Sequence, residues 1–183
     1  MTHPISIPLD NSVVSGRLSS PTPGGPERGV GVVIAHGAAN DMDTPLIAAI
    51  AQGLSGEGIH VLRFNFPYRE AGRQRPDSEK RLSEAWAAAM AEFRRIGGKE
   101  IGRFIAAGKS LGARIASQMV ADGKLEADAL VFYGYPLHAP GKKDRPRDAH
   151  LRRISIPMLF FAGTRDSLCD LTVLNGVISS LNP

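Results

Sequence analysis

Arg103-Phe104-Ile105-Ala106-Ala107-Gly108-Lys109-Ser110-Leu111-Gly112-Ala113 is the stretch on which the reading of this chain turns. The apolar run from Arg103 to Ala107 has the length of a strand, and Ser110 to Ala121 carries apolar residues at helical spacing. Between them stands G-x-S-x-G, in the strand–turn–helix context that holds a serine on a sharp, strained turn. Glycines at 108 and 112 let the two backbones close on each other. The Ser110 hydroxyl then projects above the sheet, near the positive end of the following helix. The backbone N–H of Leu111 points to where an oxyanion would form. Gly108-Lys109-Ser110 also imitates the end of a phosphate-binding loop. That loop needs a glycine five positions before Gly108, where Arg103 stands, and residues 103–107 are required as strand. No nucleotide site is expected.

Outward from this turn, strand and helix patterns alternate. Val30 to Ala35 is a continuous apolar run, as in a strand buried on both faces. Pro45 to Leu54 has helical spacing and stops before Gly56 and Gly58. A strand is predicted over Val61 to Phe66, then a polar loop from Tyr68 to Pro76. A longer helix begins near Asp77-Ser78, carries Leu82, Trp86, Met90 and Phe93 on one stripe, and stops at Gly97-Gly98. Strands over Ala129 to Tyr133 and Met158 to Ala162, and a helix over Leu171 to Leu181, complete the series. Before all of these, Ile5 to Leu9 and Val13 to Leu18 read as a hairpin turning at Asp10-Asn11. The expectation is a three-layer α/β fold, with a mostly parallel sheet and an N-terminal antiparallel hairpin.

Composition narrows the function classes. The 183 residues are 43% hydrophobic and 22% charged, which excludes wholesale disorder and fits one domain with a sizeable core. No apolar stretch reaches membrane-spanning length and the start is no signal peptide, so no membrane is expected and a cytoplasmic location is. One cysteine, Cys169, excludes an internal disulfide and a cysteine-rich zinc cage; neither metal nor cofactor is expected. The net charge of +4 and a pI near 9.5 raise the question of nucleic acid. The densest basic stretch, Lys142 to Arg153, is interrupted by Asp144 and Asp148 and has no interleaved aromatics. It reads as a solvated loop, and no nucleic-acid partner is expected.

Two further segments bear on the serine. His36-Gly37-Ala38-Ala39-Asn40 follows a strand directly, where α/β-hydrolases place their second oxyanion donor. The N–H of Ala38 takes that part, and His36 itself reads as a structural histidine bonding loop backbone. Gly163-Thr164-Arg165-Asp166 closes the strand over Met158 to Ala162. A carboxylate there can orient and charge-stabilise a histidine serving Ser110, the alternative being a helix cap. His36, Lys109 and His138 are candidates for the pocket wall, and Cys169 reads as packing.

His36 to Asn40 with Asp41-Met42-Asp43-Thr44-Pro45, Leu62-Arg63-Phe64-Asn65-Phe66-Pro67-Tyr68, Gly108 to Gly112, Tyr135-Pro136-Leu137-His138 and Gly163 to Asp166 together resemble a small α/β-hydrolase-like family. It includes testis-expressed protein thirty, the related subunit of a chromatin acetyltransferase complex, and many bacterial proteins. The resemblance runs from about residue 30 onward. It implies an α/β-hydrolase fold over 1–183 as a single domain without a separate lid, a distant similarity to dienelactone hydrolases, and Ser110 and Asp166 as nucleophile and acid.

One departure stands out. In α/β-hydrolases the chain order is serine, acid, histidine, yet His3, His36, His60, His138 and His150 all precede Asp166. The expectation is therefore of a chain lacking the last strand, last helix and triad histidine. His138, at the end of a strand on the Ser110 rim, is the one substitute, and its plainer reading is a pocket-lining or structural residue. The preferred function is hydrolysis of a small-molecule ester, thioester or lactone by acyl transfer to Ser110. The alternative is a catalytically silent scaffold or interaction module. With its neighbour strand missing, Met158 to Ala162 would expose an apolar edge, so self-association through that edge is expected.

Overall fold

The computed structural model describes residues 1–10 and 12–181. Seven strands form one sheet: β1 (Thr2–Leu9), β2 (Ser12–Ser19), β3 (Val30–Ala35), β4 (His60–Phe64), β5 (Arg103–Lys109), β6 (Ala129–Tyr133) and β7 (Met158–Phe161). Their order across the sheet is β1-β2-β4-β3-β5-β6-β7. β1 and β2 pair antiparallel, Ile5 opposite Gly16, and β2 joins β4 antiparallel; every other pairing is parallel. The hairpin is thus as the alternation predicts. Asp10 takes a positive φ of 46° at its turn, while Asn11 lies outside the described residues.

Helices cover both faces. α1 (Pro45–Gly56) packs Ile47 and Ala51 onto Val32, Ile34 and Val61. On the other face lie α3 (Glu79–Gly97), α4 (Leu111–Ala121) and α5 (Leu171–Ser179). Trp86 is fully buried there, edge-on to Phe64 at 5.3 Å, and its indole N–H donates to the Gly112 carbonyl at 3.2 Å. The long helix is thereby fastened to the Ser110 turn. Ser78 caps α3 by accepting from Arg81 N–H, as its place before the apolar stripe predicts.

Two expectations need correction. The strand predicted over Val61 to Phe66 runs from His60 to Phe64, because Asn65 and Phe66 turn out of the sheet to bond the loop after β3. The polar loop Tyr68 to Pro76 begins inside a short helix, α2 (Pro67–Glu70), started by a proline at its first turn. The basic stretch holds a 3-10 turn, Ala149–Arg153, with Arg152 paired to Asp148 and Arg153 to Asp122.

β7 hydrogen-bonds β6 on one side and, among the described residues, no strand on the other. Met158 and Phe160 face α5, whereas Leu159 and Phe161 point to the α1 face and are each 51% exposed.

Candidate active site

The parallel strands end along one rim, and four of those ends meet. Ser110 sits between β5 and α4 with φ 49° and ψ −106°. Among the described non-glycine residues, only Asp10 shares a positive φ. Such a conformation costs about 1–3 kcal/mol and persists only where the surroundings impose it. Here they do: a Cβ on Gly112 would stand 2.6 Å from the Ala35 carbonyl oxygen, and one on Gly108 would collide with the backbone of Gly112 and Ala113. The Ser110 N–H is shared between the carbonyls of Tyr133 and Gly134 at 3.3 and 3.1 Å, which fixes the turn against β6.

The N–H of Leu111, first residue of α4, has no intrahelical acceptor, as helix geometry dictates. On the other side, the His36–Asn40 loop leaves β3. Its conformation is held from β4 and the residues after it. Tyr68 donates its hydroxyl to the Ala38 carbonyl at 2.9 Å, with Gly37 O at 3.3 Å. Asn65 Oδ1 accepts from Met42 N–H, and Arg63 donates to the Met42 carbonyl and to Asp43. The Ala38 N–H donates to no protein group among the described residues.

His36 is fully buried behind this loop. Its Nδ1–H donates to the Gly37 carbonyl at 2.8 Å and its Nε2 accepts from Phe66 N–H at 3.1 Å, which assigns the neutral tautomer. Burial lowers its pKa to about 4 against the opposing pull of the Gly37 bond and Asp41. Both ring nitrogens are occupied, so neither is free to serve Ser110.

Asp166 follows β7. Its Oδ1 accepts from Leu168 N–H at 2.9 Å, and its Oδ2 lies 3.1 Å from the point a Cβ on Gly134 would occupy. The Leu168 carbonyl accepts from Leu137 N–H, and Leu137 O from Arg147 N–H, so Tyr135-Pro136-Leu137-His138 braces the Asp166 loop. Tyr135 is buried, with its hydroxyl 3.0 Å from His150 Nε2 and 3.2 Å from Ser117.

Ser110, Lys109 and Asp166 line one cleft of about 570 Å³, walled by Leu46, Ile50, Tyr133, Phe161 and Leu168. His138 lines instead a depression of about 280 Å³ on the far side of Asp166, with its Nδ1 at 2.9 Å from the Ala139 carbonyl. No histidine lines the Ser110 cleft among the described residues. Cys169 is buried beside Asp166 and Asp170, and burial with those charges raises its pKa. The clamps Arg63, Asn65 and Tyr68 were not anticipated by reading the sequence. An arginine inside the apolar run Val61-Leu62-Arg63-Phe64 was the available signal.

A model of the alpha/beta hydrolase domain matches residues 28–181. The chain belongs to that alpha/beta hydrolase family. Solved structures similar to this alpha/beta hydrolase include an α/β serine hydrolase homologue from Coxiella burnetii, at 18% identity and a TM-score of 0.80, covering 99% of this chain and 83% of that one. An α/β serine hydrolase without a lid from Xanthomonas campestris follows at 19% identity, TM-score 0.76, with 99% and 79% covered. A dienelactone hydrolase from Anabaena variabilis matches at 18% identity, TM-score 0.74, with 100% and 82% covered. At such identities the likeness establishes the fold. No helix of the described residues is long and apolar enough to cross a membrane.

Proposed function

We propose that this alpha/beta hydrolase cleaves a small-molecule carboxylic ester, thioester or lactone by acyl transfer to Ser110. The observation that carries the reading is the left-handed Ser110 backbone, forced by Gly108 and Gly112, at the N-terminus of α4; the Leu111 and Ala38 N–H groups, which have no protein acceptor among the described residues, are the proposed oxyanion donors. The Ser110 oxygen attacks the carbonyl carbon, its proton leaves to a base, and the oxyanion is held by the two donors. Collapse expels the alcohol, thiol or hydroxy end, which takes up a proton. Water then adds to the acyl-enzyme by the same steps and releases the acid. Asp166, with one oxygen fixed by Leu168 N–H, is the acid that orients an imidazole. His138 bonds the Ala139 carbonyl and lines the neighbouring depression rather than the Ser110 cleft, and both ring nitrogens of His36 are occupied.

The test is hydrolysis of 4-nitrophenyl acetate. The 183-residue chain should turn it over slowly, and Ser110→Ala should remove that turnover. Strong activity that disappears in His138→Ala would instead make His138 the base. Loss of nothing in Ser110→Ala would overturn the proposal.

A second reading is a binding module that retains the fold without turnover. It is favoured by the placement of the histidines outside the cleft. Within the family, we assign the chain to the branch of testis-expressed protein thirty and the related chromatin-complex subunit. That assignment rests on the Arg63–Tyr68 and Tyr135–His138 segments, which here brace the oxyanion loop and the acid's loop. We further read 1–183 as one domain without a lid, acting in the cytoplasm with no metal, cofactor or nucleic acid.

A further inference from the structure

We infer that the acyl part of the substrate carries a carboxylate, and that Lys109 binds it; the inference rests on the reading of Ser110 as acyl acceptor. Lys109 is the residue immediately before Ser110 and lines the same cleft. The chain's five other lysines are exposed, and Lys109 is the one held half-buried. Lys80 and Lys124 have carboxylate partners, at 4.0 and 3.5 Å, whereas no carboxylate among the described residues lies within that range of Lys109. A half-buried ammonium without a counter-charge offers an anionic ligand charge-assisted hydrogen bonds.

Position decides where that anion sits. Ser110 follows β5, which lies between β3 and β6. The Lys109 ammonium lies about 3.7 Å from the point a Cβ on Gly37 would take, so it reaches toward the oxyanion loop after β3. Asp166 approaches Gly134, on the β6 side. The two charges flank the serine. A carboxylate beside Lys109 is therefore kept from the Asp166 carboxylate, while Tyr133 and Phe161, stacked at 5.2 Å, offer an apolar wall on the Asp166 side for the rest of the molecule. One cation matches one carboxylate. A dianionic phosphate would leave net negative charge in a cleft that already holds Asp166.

The experiment compares two esters of similar length, mono-(4-nitrophenyl) glutarate and 4-nitrophenyl butyrate. Wild type should favour the glutarate, and Lys109→Met should reduce the ratio of their kcat/KM values about tenfold or more, the size of a lost charge-assisted hydrogen bond. Lys109→Arg should keep most of the preference, and added salt should erode it in wild type. An unchanged ratio in Lys109→Met would overturn the inference. Binding of 4-phenylbutyrate to Ser110→Ala protein, with and without Lys109→Met, separates this claim from the catalytic one. Lys109-dependent binding without any ester turnover would leave the anion site standing and remove the acyl-transfer reading. Ser110-dependent turnover with neither ratio nor binding altered by Lys109→Met would do the reverse.

Discussion

The two flanks of Ser110 are built differently. On the β3 side, the loop from His36 to Asp43 is bonded by Arg63, Asn65, Phe66 and Tyr68, each reaching out from or just after β4. On the β7 side, the Asp166 loop is held mostly by its own local bonds, Asp166 N–H to Gly163 O, Leu168 N–H to Asp166 Oδ1 and Cys169 N–H to Asp166 O, with Leu137 N–H to Leu168 O from outside, beside an edge strand with half-exposed Leu159 and Phe161. An oxyanion site works only if its donors are already aimed before charge develops, so rigidity belongs on the β3 side. The Asp166 side, where the acid is proposed, has no such requirement. The difference teaches that side chains from distant positions brace the loop after β3, where an oxyanion donor is proposed, whereas mostly local bonds hold the Asp166 loop.

The comparison breaks first if the Ser110 turn tolerates bulk. Gly112→Ala should cost about 3 kcal/mol in chemical denaturation, because the new Cβ meets the Ala35 backbone rather than a yielding side chain. A stability change near zero would mean that the turn is less constrained than drawn.

A similar effect is expected from acid. His36 is held neutral when folded, with a pKa of about 4, while the unfolded chain takes up its proton near the ordinary 6.5. The folded value is the lower one, so the stability that a neutral His36 confers is complete above about pH 6.5. It is lost as the pH falls toward 4, by about 3 kcal/mol in total. Denaturation curves from pH 7.5 to 4.5 should show wild type losing more than His36→Asn over this window. Parallel curves would place His36 outside the buried clamp.

Tyr68→Phe should sharpen the contrast more gently. Removing the hydroxyl from the Ala38 and Gly37 carbonyls should cost about 1 kcal/mol of stability. If the loop supplies an oxyanion donor, kcat should fall while KM holds, because that donor acts in the transition state. Smallest of all, Leu159→Lys on the open flank should leave stability nearly unchanged and reduce the concentration dependence of light scattering, since the exposed edge is where self-association is proposed.

Much of this was legible in sequence. Val30–Ala35 and Ala129–Tyr133 begin and end as their apolar runs do, because strands buried on both faces need continuous apolar residues. The elbow was legible because two glycines and a serine at fixed spacing have one steric explanation between a strand and a helix. Asn65 and Phe66 were misread as strand since their apolar company hides that their polar groups serve Met42 and His36. The four residues of α2 are too few to show a period. The roles of Arg63 and Tyr68 depend on partners some 20 and 30 positions away, which spacing along the chain does not reveal.

The central claim is that Ser110 is the proposed nucleophile, held on its strained turn between two differently built flanks. Intact-mass measurement after treatment with a fluorophosphonate in the presence of added imidazole tests it most directly, since phosphonylation requires the serine oxygen, the oxyanion donors and a proton acceptor but no natural substrate. The account predicts a single adduct on the 183-residue chain, mapped by peptide analysis to Ser110 and absent in Ser110→Ala. A folded wild-type chain that remains unmodified, or an adduct that persists in Ser110→Ala, would contradict it.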